Sequence, residues 1–268
     1  MRVSIIVPTR NRASLVGETI DAILKQTFRD LEVIVVDDCS QDDTESIIRG
    51  YADDRVRYFC HDSGRLVAVN RNYGMSQATG EYLAFCDDDD IWLPDRLEKQ
   101  LPEFEKDDHL ELVCSNAVIF NEKGDIRPFH PAGLAARDFT FNSLLRDNKI
   151  ITSSVTVRKS VIDDVGMMDT SPALVTGQDY ELWLRIARKY PVKYLDLPLV
   201  KYRVHSGNAT PRGIAAVKRR RAVYRFLRDK KIIGHWLYRR LTLRMLAFDL
   251  LWRTRTMMLA SRLKRLFR

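Results

Sequence analysis

Apolar runs at Val3–Val7, Leu31–Val36, Val56–Phe59 and Tyr82–Phe85 have the length of buried strands. Between them lie Leu15, Ile20, Ile23 and Leu24, then Ile47 and Ile48, then Leu66, Val69, Tyr73 and Met75, all near helical spacing. Ser14 is the expected N-cap of the first helix, and Ser40 followed by Asp43 resembles a capping box for the second. Strands alternating with helices predict right-handed crossovers and a parallel sheet.

The fourth run ends in four successive carboxylates, Asp87 to Asp90, and Pro94 opens a helical pattern that extends to Lys106. Leu110–Phe120 reads as one or two strands turned at Asn121-Glu122-Lys123-Gly124. Beyond it the pattern predicts a strand over Ser153–Val157, a short helix over Lys159–Val165 stopped by Gly166, a loop over Thr170–Gly177 and a helix over Gln178–Lys189. Val192–Leu195 and Leu199–Val204 are two more expected strands, followed by turn chemistry at His205-Ser206-Gly207-Asn208.

Composition narrows the class. A chain of 268 residues fits one large domain or a domain with an appendage. The longest stretch without Asp, Glu, Lys or Arg is Leu112–Asn121, short of the roughly 18 to 20 apolar residues of a membrane span. The N-terminus reads as a strand rather than a secretory leader. Cys39, Cys60, Cys86 and Cys114 form no Cys-x-x-Cys pair, which argues against zinc and for reduced thiols in a cytosolic compartment. Cys39 and Cys86 adjoin acidic residues, which raise a thiol pKa and disfavour a nucleophilic role.

Charge is divided. From Arg212 onward there are 18 lysines and arginines against Asp229 and Asp249, a balance of +16, so the preceding residues carry −8 of the net +8. In this basic part Leu237, Leu241, Met245, Phe248, Trp252, Leu259, Leu263 and Leu266 recur at helical spacing as one stripe. Arg239, Arg240, Arg253, Arg255, Arg262, Lys264 and Arg265 flank it, a pattern expected of a helix lying on a membrane surface. The alternative is a helix packed on the rest of the chain or on a second copy, and a homo-oligomer fits that case. A nucleic-acid partner is not expected, because the basic part interleaves large aliphatics rather than stacking aromatics.

Four adjacent carboxylates repel one another unless a cation holds them. Side chains alternate at the carboxyl end of a strand, so Asp87 and Asp89 are expected to point one way and Asp88 and Asp90 the other. Paired carboxylates suit Mg²⁺ or Mn²⁺ shared with a phosphate-bearing ligand. The other reading is a solvated acidic helix N-terminus. No Gly-x-Gly-x-x-Gly follows the first strand and no Gly-Lys-Ser/Thr loop occurs, so neither common phosphate fingerprint is present.

Seven ordered pieces share one likeness: Val7-Pro8-Thr9-Arg10-Asn11-Arg12, Val36-Asp37-Asp38-Cys39-Ser40-Gln41-Asp42, Asn70-Arg71-Asn72-Tyr73-Gly74, Gly80-Glu81-Tyr82, the Asp87 run with Trp92-Leu93-Pro94, Gly177 to Arg185, and Tyr202-Arg203-Val204-His205. Over residues 3 to 208 the chain resembles the family 2 nucleotide-sugar glycosyltransferases of bacteria that build surface polysaccharides. That resemblance implies the GT-A fold, a Rossmann-like α/β domain with a mixed, mostly parallel sheet. It implies a catalytic domain over 1–211, with a nucleotide-binding half over 1–107 and an acceptor half over 108–211, and leaves 212–268 as a basic helical extension.

The same resemblance implies an inverting transfer of a sugar from a nucleoside-diphosphate donor, expected to be a UDP-sugar, to a hydroxyl of a glycan or lipid-linked acceptor. Pro8, Thr9, Arg10, Asp38 and Arg71 are then expected around the nucleotide. Asp87, Asp88 and Asp89 fill the Asp-x-Asp position. Asp89 would bind Mn²⁺ or Mg²⁺ directly, Asp87 or Asp88 would reach the ribose or a metal-bound water, and His205 would complete the metal shell. Asp90 would orient its neighbours. Asp179 is the expected base, and Gln178 stands where relatives often carry a second acid. The expected location is cytoplasmic, peripheral on the inner face of the cytoplasmic membrane. Nucleotidyl transfer uses a similar sheet and carboxylate-held Mg²⁺, and is the competing enzymatic reading.

Overall fold

The computed structural model describes residues 2–135, 139–205 and 214–246. The chain divides into two compact units, residues 1–170 with 179–208, and residues 171–178 with 209–268.

In the first unit, strands β1 (Val3–Thr9), β2 (Leu31–Asp37), β3 (Val56–Cys60) and β4 (Tyr82–Phe85) pair in parallel. Helices α1 (Val16–Leu24), α2 (Thr44–Arg49) and α3 (Val67–Gln77) connect them. Then come β5 (Ile91–Trp92), α4 (Arg96–Lys106), the hairpin β6 (Leu112–Asn121) and β7 (Gly124–Pro128), and α5 (Phe141–Arg146). The unit closes with β8 (Thr156–Arg158), α6 (Lys159–Val165), α7 (Gln178–Lys189, from Asp179 on) and β9 (Val192–Arg203). The sheet order is β3-β2-β1-β4-β8-β6-β9-β5, with β7 paired to β6. Strand β8 runs antiparallel to β4 and β6, while β9 runs parallel to β6. The chain turns to opposite sides of β1 to reach β2 and β4, so the carboxyl ends of β1, β2 and β4 form a topological switch point, where ligands collect in open α/β sheets.

Every residue of β1 and β2 is buried, as expected for central strands covered on both faces. Of their polar residues, Ser4 and Glu32 satisfy one another near the start of the two strands. Glu32 Oε1 accepts from Ser4 Oγ (2.7 Å), Thr79 N (2.8 Å) and Thr79 Oγ1 (2.6 Å), and Oε2 accepts from Arg57 Nη1 (2.6 Å). Gly80 N donates to Ser4 Oγ at 2.9 Å, and a Cβ on Gly80 would lie 2.6 Å from Arg2 O, so this close approach excludes a side chain.

Several local expectations are corrected. Helix α1 starts at Val16 with Leu15 at its N-cap and no side-chain cap, so Ser14 does not fill that role. Helix α2 starts at Thr44, and Ser40 instead donates to Asp37 Oδ1 at 2.5 Å. Ser153 lies in a 3₁₀ turn, Thr152–Ser154, ahead of β8, because its hydroxyl and carbonyl are drawn to other segments. The two strands expected near Val192 and Leu199 are one, β9, which absorbs Asp196-Leu197-Pro198 as a register shift opposite Ser115–Ala117.

In the second unit, α8 (Ile214–Asp229) packs near the short turn Pro172–Leu174, and Arg219 Nη1 donates to Thr176 O at 3.0 Å. A further helix, α9, spans 235–246 and is joined to α8 by Tyr238, whose ring lies 4.5 Å from the Arg228 guanidinium. The expected apolar stripe of α9 is turned inward: Leu241 and Met245 are buried. The exposed apolar residues are Trp236 (71 %), Leu243 (66 %) and Leu246 (46 %), on the same side as Arg239 and Arg240. The rest of the stripe, Phe248, Trp252, Leu259, Leu263 and Leu266, lies outside the described residues, as do Arg253, Arg255, Arg262, Lys264 and Arg265. Among the described residues no helix is long and apolar enough to cross a membrane.

Candidate active site

Strand β4 ends at Phe85, so Asp87 to Asp90 form a turn and do not alternate across a strand. Each carboxylate takes a separate partner. Asp87 Oδ1 is bound by Arg71 Nη2. Asp88 accepts from Thr9 Oγ1 at 2.7 Å and lies 3.5 Å from Arg12 Nε. Asp89 Oδ2 lies 2.8 Å from His205 Nε2. Asp90 is fully buried and accepts from Ser153 Oγ (2.5 Å) and Arg203 N (2.9 Å), so it braces the turn.

Crowding perturbs the row. Burial and the charge of Asp89 push Asp88 up to about 7, against the donors Thr9 and Arg12. Burial and the charges of Asp89 and Asp87 push Asp90 well up. Asp87 is raised by burial and by Asp89, with Arg71 opposing. Arg71 is itself buried, and its Nε has no hydrogen-bond partner.

At the end of β2, Asp38 is buried. Its Oδ1 accepts from Ser63 N (2.7 Å) and Ser63 Oγ (2.6 Å), and its Oδ2 accepts from Arg10 Nη1 (2.7 Å). Burial alone would raise this carboxyl, but the Ser63 donors and Arg10 outweigh it and hold the pKa below the ordinary value. Pro8 and Thr9 close β1 beside Val36 and Asp37, which brings the loop of Arg10 against Asp38. Asp38 does not cap α2, whose N-cap is Asp43, and Ser40 donates to Asp37 instead.

Asp179, at the start of α7, accepts from Thr152 Oγ1 on Oδ2 (2.6 Å) and from Tyr180 N on Oδ1 (2.7 Å). It is near enough to Arg71 and Asp87 for its charge to act on both. Thus the structure gathers Asp87, Asp88, Asp89, Arg71, Asp179 and His205 at one end of the sheet, with Thr9, Arg10 and Asp38 adjoining through Asp88 and β1. Trp92, Trp183 and Leu184 are core. Thr152, Ser153 and Ser63 escaped sequence reasoning, since a lone hydroxyl residue carries no periodic or motif signal. A separate surface groove of about 360 Å³, lined by Glu18, Asp21, Ala22, Lys25 and Ile91–Pro94, contains none of these site residues.

The model of the family described as "Glycosyl transferase family 2" matches residues 4–165, which include all four aspartates of the turn. The chain belongs to glycosyl transferase family 2. An uncharacterized glycosyltransferase of Rickettsia felis is 32 % identical over 76 % of this family 2 chain and 34 % of its own length. A second Rickettsia relative shows the same shares, so the chain spans about a third of the length of these curated relatives. A UDP-Glc:alpha-D-GlcNAc-diphosphoundecaprenol beta-1,3-glucosyltransferase, WfgD of Escherichia coli, is 27 % identical over 81 % of the chain and 83 % of its own length. Among solved structures, S. aureus TarS superposes with a TM-score of 0.67 at 20 % identity, covering 93 % of this chain and 43 % of that one. The mannosyltransferase PcManGT from Pyrobaculum calidifontis, in complex with GDP-Man and Mn²⁺, gives 0.65 at 21 % identity, covering 87 % and 65 %. These structures share the GT-A fold, and the family assignment favours sugar transfer over nucleotidyl transfer.

Proposed function

We propose that this chain is an inverting glycosyltransferase that moves a sugar from a UDP-sugar to a hydroxyl of a glycan or lipid-linked acceptor, assisted by a divalent cation. One observation carries the reading. The carboxylate turn and the candidate base hang on two consecutive residues, Ser153 to Asp90 and Thr152 to Asp179. The donor class is supported by WfgD, a UDP-Glc glucosyltransferase, and a lipid-linked acceptor by the GlcNAc-diphosphoundecaprenol on which that relative acts.

The residues fit Mn²⁺ or Mg²⁺. Asp89 Oδ2 and His205 Nε2 converge at 2.8 Å, an oxygen and a nitrogen ligand of the type such ions accept. No group of three or more acidic, His or Cys side chains among the described residues is already gathered as a metal site, so diphosphate oxygens and water would fill the other positions. The bound ion would act as a Lewis acid on the departing diphosphate. Asp87 and Asp88 would meet the ribose or a water of the ion.

Around the nucleotide, Asp38 Oδ1 is filled by Ser63, while Oδ2 has one lone pair left beside Arg10 to accept the N3–H of uracil. The loop Pro8–Arg10 would cover the base and ribose. Arg71, with a buried unpartnered Nε, would face diphosphate oxygens. Asp179 would take the acceptor's proton as the hydroxyl attacks the anomeric carbon from the face opposite the leaving group. Gln178 leaves Asp179 without an adjacent second acid. The basic extension would hold the enzyme at the inner face of the cytoplasmic membrane, within reach of a lipid-linked acceptor.

The test is a panel of nucleotide sugars with Mn²⁺, read as thermal stabilisation and as nucleoside diphosphate release. UDP-sugars are expected to score highest. Asp179→Asn should lower turnover by roughly 10²- to 10⁴-fold while UDP binding persists, and a parent rate in that variant would remove Asp179 as base. Calorimetry should show Mn²⁺-strengthened UDP binding that Asp89→Ala abolishes, and unchanged binding would remove the metal role.

A further inference from the structure

Residues Thr152–Ser154 form a single buried 3₁₀ turn. Three successive carbonyls at its end are each capped by a different side chain. Trp92 Nε1 donates to Ser153 O (2.9 Å), Gln100 Nε2 to Ser154 O (2.8 Å) and Arg96 Nη2 to Val155 O (3.0 Å). These donors recur every fourth residue, which sets Arg96 and Gln100 on one face of α4 with Trp92 just ahead of it. Arg96 has no exposed surface and stacks 3.7 Å over the Trp92 ring. A buried guanidinium without a carboxylate partner is costly, so such a clamp marks a turn whose position matters.

The turn's side chains face the chemistry. Ser153 Oγ accepts from Asp87 N (3.0 Å) and donates to Asp90 Oδ2 (2.5 Å), while Thr152 Oγ1 donates to Asp179 Oδ2 (2.6 Å). With Tyr180 N on Oδ1, two of the roughly four lone pairs of the Asp179 carboxylate are committed, and the remaining ones are aimed.

We propose that Thr152 is the positioning residue of the base: its hydroxyl fixes the orientation of the Asp179 carboxylate, and through Ser153 it keeps that carboxylate in register with the acidic turn at Asp87–Asp90. This rests on Asp179 being the base. Removing the donor leaves the carboxylate free to rotate about its last side-chain bond, so the attacking hydroxyl meets a correctly placed oxygen less often. The loss falls on turnover and not on donor binding.

The experiment measures UDP release from UDP-glucose and UDP-N-acetylglucosamine with Mn²⁺ and water as acceptor, in the parent, Thr152→Val, Thr152→Ser, Asp179→Asn and the Thr152→Val/Asp179→Asn double variant, with UDP affinity by calorimetry for each. Thr152→Val is expected to lower kcat about 10- to 100-fold, the effect of one hydrogen bond to a charged group, with KM for the donor and UDP affinity unchanged. Thr152→Ser should recover the parent kcat within about threefold, and Thr152→Val should cost nothing further once Asp179 is Asn. A slow Asp179→Asn beside a Thr152→Val at the parent rate overturns the positioning role and leaves the base assigned. A parent rate in Asp179→Asn removes the base and this inference with it. Equal losses in Thr152→Val and Thr152→Ser, or lost UDP affinity in both, would make the residue's role one of folding and overturn the proposal.

Discussion

Glu32 offers a quantitative test of the frame that carries the site. Its side chain is 1 % exposed, and burial alone would raise its pKa. Donors from Thr79, Ser4 and Arg57 outweigh that and bring it from 4.5 to about 2. A carboxyl whose folded pKa is depressed contributes stability above its unfolded pKa and loses it as pH falls through the folded value. A shift of about 2.5 units is worth roughly 3.4 kcal/mol at neutral pH, and linkage leaves about 1.4 kcal/mol of it at pH 3. Arg57 is 33 % exposed and screened by salt, so the working expectation is nearer 2 kcal/mol at neutral pH. The variant is Glu32→Gln, compared with the parent by urea denaturation at pH 6 and pH 3. The stability gap should be widest at pH 6 and shrink by about 1 to 2 kcal/mol at pH 3. Taking the difference between the two proteins cancels the other carboxylates. A gap that stays constant, or widens toward acid, would show that Glu32 titrates normally and that the Ser4–Thr79–Arg57 cluster does not favour its charged form.

Three further outcomes are expected. Gly80→Ala should cost about 2 kcal/mol by the same denaturation assay, because the new methyl would meet Arg2 O at 2.6 Å and Ser4 N at 2.8 Å, backbone atoms that cannot step aside. Cys39 is exposed yet pushed up to about 11, first by its hydrogen bond with Cys60 at 2.9 Å, then by burial and the charges of Asp62 and Asp37. Its iodoacetamide alkylation at pH 7.5, followed by peptide mass spectrometry, should be roughly 100-fold slower than that of an ordinary thiol and should accelerate in Cys60→Ala. For the membrane reading, the protein should float with vesicles containing phosphatidylglycerol and not with phosphatidylcholine alone. Trp236→Ala/Leu243→Ala should weaken flotation several-fold, and unchanged flotation would show that α9 does not make the contact.

Periodicity located β1, β2 and β4 because their apolar runs are buried on both faces, and α6 and α7 because Gly166 and a clear helical stripe mark their limits. It erred where tertiary partners decide. Asp196-Leu197-Pro198 looked like a break, yet β9 passes through it because the partner strand β6 shifts register there. The inward stripe of α9 was legible as spacing, but spacing cannot say whether a stripe meets a bilayer or a neighbouring helix. Burial of Leu241 and Met245 turns that stripe inward over the described part, Tyr238 lies against Arg228, and Trp236, Leu243 and Leu246 are left as the face toward solvent.

The same division holds at the site. Carboxylates announce themselves, since adjacent like charges need a reason. What aligns them does not. Ser153 is 66 residues from Asp87 and Thr152 is 27 from Asp179, and the antiparallel pairing of β8 with β4 is what closes the first distance. Trp92, Arg96 and Gln100 read as an amphipathic helix start, although each donates a side-chain hydrogen bond to a carbonyl of Ser153–Val155. If that clamp fixes the turn, its members should act on turnover through Thr152 and not through fold stability alone. Gln100→Met fills similar volume but strips the cap from Ser154 O. It should therefore lower kcat in the parent and have little further effect in Thr152→Val, measured again as UDP release with UDP affinity as the control. Additive losses in the two backgrounds would mean that the helix and the turn contribute separately, and that the clamp does not act through Thr152.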